Sequence, residues 1–160
     1  MIRKVKNAFT EAFSEKSDYK CFACSPHNEQ GLKMEFFANE DSVWSEWEPR
    51  PEFDGWKGVV HGGIQATLMD EAAEWYVFVK HGRSAVTMEL NCRYKKPLNS
   101  TEGKITIKAK EISLRRNISE INVQIFDAKN NLCSEANGKF YVFSEEESKN
   151  KYRFPGKDKF

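Results

Sequence analysis

One run of side chains limits what this chain can become. Ile64, Ala66, Leu68, Met69, Ala72, Ala73, Trp75, Tyr76, Val77, Phe78 and Val79 cover most sides of a helix. A helix apolar nearly all round is buried, so the remaining chain must wrap it. Thr67, Asp70, Glu71 and Glu74 break the pattern at spacings of three and four, which places them in one stripe. The stripe is either the helix's solvated face or a functional site. A buried carboxylate is costly unless paired, hydrogen-bonded or protonated, so acids on so apolar a helix point to a site. The run opens from Asp54-Gly55-Trp56-Lys57-Gly58-Val59-Val60-His61-Gly62-Gly63. Glycines there let backbone approach a ligand closely. The first helical turn adds unsatisfied N–H groups and partial positive charge, which suit a developing oxyanion.

At 160 residues the chain is long enough for one domain with a real core. A net charge of +1 gives no bias toward nucleic acid or an anionic membrane. No apolar run has membrane-spanning length, and Met-Ile-Arg-Lys-Val-Lys lacks the apolar core of a signal peptide. A cytoplasmic protein without nucleic-acid or membrane partners is therefore expected. Four cysteines, Cys21, Cys24, Cys92 and Cys133, are too few and too irregular for a disulfide framework. Cys21-x-x-Cys24 with His27 could be half of a zinc site, but no further ligand has partner spacing. The alternative is a turn with small buried thiols.

Along the chain, Val5, Ala8, Phe9, Ala12 and Phe13 predict an amphipathic N-terminal helix. Residues 31–37 and 43–48 predict a hairpin closed by Pro49-Arg50-Pro51. His81-Gly82 ends the long helix. Four strands follow: 87–94, a strand from Ile105, one through Ile121, Val123 and Ile125, and one over 132–143. In the second, apolar parity shifts from Ile105, Ile107 and Ala109 to Ile112 and Leu114, which predicts a bulge near Lys110-Glu111. The expected division is a helical extension at 1–19, a domain at 20–143 and a loose charged tail at 144–160. The order implies an α+β domain, a single antiparallel sheet wrapped around one central helix.

Motif and order together resemble the hotdog-fold acyl-CoA thioesterases of the phenylacetyl-CoA and 4-hydroxybenzoyl-CoA type. The specific part is Gly55 to Glu71, with His61-Gly62-Gly63 followed by Asp70 nine positions after the histidine. Cys21-Phe22-x-Cys24, Asn28-x-x-Gly31-Leu32 and Tyr94-x-x-Pro97 add to the likeness, which extends over residues 20–143. The resemblance implies hydrolysis of an acyl- or aryl-CoA to free acid and CoA. Asp70 would be the catalytic carboxylate, as nucleophile or general base, with Glu71 beside it as a possible substitute. The Gly62 N–H would polarise the thioester carbonyl, Gly63 would give room, His61 would shape the loop, and Thr87 would hold the water. Homodimers with shared sites, pairing further into tetramers, are implied. No cofactor is implied beyond the coenzyme A of the substrate, and no metal.

The separation along the helix fits a shared site without the resemblance, since Gly62 and Asp70 lie roughly 12 Å apart. One departure is Gly55, where some relatives carry an Asn or Gln; Gln65 could replace that amide. It gives the alternative reading, a non-catalytic acyl-thioester binding protein of the same fold. Arg93, Lys95 and Lys96 are candidates for CoA contact, or simply a solvated strand edge.

Overall fold

The computed structural model describes all 160 residues. Seven strands form one sheet: β1 (Arg3–Lys4), β2 (Phe36–Ala38), β3 (Val43–Trp47), β4 (Ala85–Tyr94), β5 (Ile105–Arg115), β6 (Ile118–Phe126) and β7 (Leu132–Val142). Helix α2 (Gly62–His81) lies between β3 and β4 in the chain, flanked by the short α1 (Phe9–Ala12) and α3 (Glu145–Tyr152). Every paired strand is antiparallel, and the spatial order is β1-β2-β3-β5-β6-β7-β4. This is the hotdog fold, an antiparallel sheet wrapped around one long helix.

The sheet's inner face meets α2. Val43, Ile105, Ile107, Ala109, Ile121, Val123, Ile125, Ala136 and Phe140 alternate inward along their strands, as a half-buried sheet requires. They join Leu68, Met69, Ala72, Ala73, Trp75 and Val77 of the helix in a single core. Trp75 anchors it and stacks on Phe36 with ring centroids 4.5 Å apart. Gly82 ends α2 at φ 68°, and its N–H reaches back to the Val77 and Phe78 carbonyls. That is a left-handed helix cap, which glycine adopts without strain.

Two bulges shape the sheet. On β5 the register slips between Glu111 and Ser113, leaving Ile112 as the extra residue beside the predicted position. On β4 it slips between Thr87 and Glu89, at Met88, where the sequence shows unbroken alternation. β4 pairs only with β7, so its other edge is open. Val86, Met88 and Tyr94 are exposed along it.

The termini differ from expectation. Residues 2–16 are not one amphipathic helix. Arg3 and Lys4 pair with β2, and only Phe9–Ala12 is α-helical. Nor is 144–160 a loose tail. Ser144 caps α3 in a reciprocal capping box with Glu147, and Phe154 and Phe160 return to the core side of α2. Phe9 ties both ends together, in ring contact with Tyr19, Trp75, Phe78, Phe154 and Phe160. Such distant aromatic contacts override the local charge pattern. The hairpin strand is also shorter than predicted, since residues 31–35 run irregularly before β2.

Candidate active site

The start of α2 is built from side chain and loop together. His61 is the N-cap, and its Nδ1 accepts the Gly63 N–H at 2.9 Å. In the neutral ring that role leaves the proton on Nε2. A side chain at Gly63 would bring its Cβ to 3.1 Å from His61 Nδ1, crowding the cap. The Gly62 N–H makes no hydrogen bond within the chain, as befits a first-turn donor. The Tyr94 hydroxyl donates to the Gly62 carbonyl at 2.8 Å, so β4 holds the helix start in place. An open depression of about 690 Å³ lies here, lined in part by Trp56, His61, Gly62, Tyr94, Lys95 and Lys96.

Gln65 is buried beneath this loop. Its amide nitrogen donates to the Val60 carbonyl at 2.9 Å, and its oxygen accepts the Ser134 hydroxyl at 2.9 Å. Both ends of the amide are engaged in joining loop to sheet. Gln65 is thus a support for the loop and not a replacement for the amide missing at Gly55.

Two turns along, the acidic stripe divides. Thr87 on β4 donates its hydroxyl to Asp70 Oδ1 at 2.7 Å. Burial pushes the Asp70 carboxyl above the usual aspartate range, and the Thr87 hydrogen bond opposes that shift. Glu71 turns elsewhere. Its Oε1 accepts the Trp75 indole N–H at 2.9 Å and faces Cys21 Sγ at 3.5 Å. Burial raises its carboxyl too, against hydrogen bonds from Cys24, Trp75 and Cys21. Glu74 is raised well above its ordinary range by burial first, then by Glu71, Asp70 and Cys21. All four residues of the stripe are partly buried, so it is not a fully solvated helix face.

Of the residues singled out from the sequence, the fold joins Thr87 to Asp70 and His61 to Gly63, and leaves Glu71 with the cysteines. Two contributors were not foreseen. Tyr94 stood out only through its spacing to Pro97, and nothing local signalled that its hydroxyl reaches Gly62. The meeting of Glu71 with Cys21 crosses 50 positions of sequence and had no local signal.

The family model of the thioesterase superfamily matches residues 57–134, the stretch that contains most of the loop, α2 and the strands β4 to β6. A thioesterase of Haemophilus influenzae is 26% identical in sequence, with a TM-score of 0.63 over 71% of this chain and 80% of that one. About half the chain's length thus resembles the thioesterase superfamily, and the whole chain has the hotdog fold that such thioesterases share. A Saccharolobus solfataricus protein named a putative esterase is 29% identical over 92 residues, 57% of this chain and 60% of the relative. The match thus covers less than two thirds of that relative's own length. A Streptococcus mutans protein solved with acetyl-CoA bound shares the fold, at 20% identity and a TM-score of 0.62 over 69% of this chain and 89% of that one. No helix of the chain is long and apolar enough to cross a membrane.

Proposed function

We propose that this chain hydrolyses an acyl- or aryl-CoA thioester to the free acid and CoA. The observation that carries the reading is the Asp70 carboxylate, half-buried on α2 and held by Thr87 at 2.7 Å. Thr87 occupies one oxygen of the carboxylate, Oδ1, and fixes its orientation. Oδ2 is left to take a proton from water or to attack the thioester carbon. The second requirement is a donor for the carbonyl oxygen as it gains charge. The Gly62 N–H, at a helix N-terminus and without a partner, supplies it. Water adds to the carbonyl carbon, the C–S bond breaks, and the departing thiolate takes up the proton. Lys95 and Lys96 on the rim of the adjoining depression offer charge to the phosphates of CoA. The acetyl-CoA-bound fold neighbour is consistent with such a ligand.

Gly62 and Asp70 occupy separate places on one helix, so a working site takes one from each of two subunits. The open edge of β4, ten residues long with Val86, Met88 and Tyr94 exposed, offers the pairing surface. Thiol release from a panel of short, long and aryl acyl-CoAs tests the reading, wild type beside Asp70→Asn. Release by the wild type that falls by about 10² or more in the variant is the expected result. Equal background rates in both, with the acyl-CoA still bound, would instead make the chain a binding protein.

A further inference from the structure

The cysteines that the hydrolytic reading leaves unused converge with the acids on α2. Cys21 Sγ lies 2.7 Å from Cys24 Sγ and 3.5 Å from Glu71 Oε1, and the three ligand atoms fall within 4.8 Å of one another. The Cys24 backbone N–H donates to Cys21 Sγ at 3.2 Å. Glu74 lines the same cavity of about 200 Å³, walled by Phe9 and Phe78. Its carboxylate has no hydrogen-bond partner and no ion pair within the chain. His27, the ligand suggested by sequence spacing, is not in the group. The third donor is Glu71.

We propose that Cys21, Cys24 and Glu71, with Glu74 beside them, form a binding site for a thiophilic divalent cation of the zinc class. Two thiols and a carboxylate are a donor set that zinc accepts, and Glu74 or a water completes four ligands. Bond lengths of about 2.3 Å to sulfur and 2.0 Å to oxygen set these atoms about 3.5 Å apart in a tetrahedron. The Cys21–Glu71 spacing already has that value. The sulfur pair opens by about 1 Å on binding, through rotation of the partly exposed Cys21. Each thiol releases a proton to solvent as it ligates. The cation supplies the positive charge that Glu71 and Glu74 lack. A disulfide between the cysteines would leave both acids without it. Bound there, the cation ties the N-terminal segment to α2 one residue beyond Asp70.

The test uses the full chain, reduced and stripped with a chelator, titrated with Cd²⁺ while thiolate-to-metal charge-transfer absorption is followed. Zn²⁺ is then added in competition. One Cd²⁺ per chain, displaced by Zn²⁺, is expected. The band should survive in Cys92→Ser and Cys133→Ser and vanish in Cys24→Ser. Glu71→Gln keeps both sulfurs and should weaken binding about tenfold or more, with circular dichroism showing that it folds. No band in the fully reduced wild type, or an undiminished band in Cys24→Ser, overturns the site. Affinity unchanged in both Glu71→Gln and Glu74→Gln overturns the role of the acids.

Discussion

Asp70 and Thr87 stand on different elements, and the hydrogen bond between them fixes the chemistry available to both. In the proposed hydrolysis Asp70 must be ionised to act on water, and burial holds its pKa above the ordinary value. Activity is therefore expected to be lost, as pH falls, at a higher pH than an exposed aspartate would give. Thr87 donates to the charged form and restrains that rise. Thr87→Val should move the acid limb of the kcat profile further upward, and a pH–rate series on both proteins checks the shift. Glu74 raises a stability question of the same kind. Its folded pKa exceeds the unfolded value of about 4.3, so the folded chain keeps a proton that the unfolded chain gives up. Stability then falls with rising pH, from about pH 4 until the folded pKa is passed. In metal-free protein at neutral pH, Glu74→Gln should raise Tm by about 2–4 °C for each kcal/mol recovered, with less gain near pH 4. Thermal melts at the two pH values decide it.

At the scale of elements, α2 is the part most legible in the sequence, because its signals are local. Apolar residues all round require burial, His61 and the glycines mark the start, and Gly82 marks the end. The end is also a test. Gly82→Ala would place a Cβ at a φ of 68° and 2.6 Å from the Lys157 side chain. The left-handed conformation alone costs about 1–2 kcal/mol, so a lower Tm with an unchanged fold is expected from calorimetry. The strands were legible by alternation and the β5 bulge by its change of parity. The β4 bulge was not, since Thr87 to Tyr94 alternates without a break and only pairing with β7 shows Met88 to be extra. The terminal segments differ from expectation for a related reason. Phe9, Phe154 and Phe160 are far apart in sequence, and the charges around them suggest solvent, yet their rings meet over Trp75 and Phe78. The site divides in the same way. His61, Gly62 and Asp70 are marked by spacing within one segment, whereas the partners Thr87, Tyr94 and Cys21 are brought in by the fold.

For the whole molecule, the sheet order decides what is left open. β4 lies at the end of the sheet with one edge unpaired, and a long edge strand is either covered or a route to association. Met88→Glu places a charge at the bulge of that edge. It should shift the chain toward monomer in light scattering and lower acyl-CoA turnover with it. Loss of association with full activity retained would remove the shared site.

Thr87 and Tyr94 stand near opposite ends of β4, and each grips α2, one at Asp70 and the other at Gly62. A single strand thus acts as a ruler laid beside the helix, setting the carboxylate and the loop at a fixed separation. The same strand is the one a second copy would join. On the proposed two-subunit site, assembly and alignment become one event, and output per chain should depend on how crowded the solution is. Dilution alone should then lower thioester hydrolysis per chain, without any inhibitor.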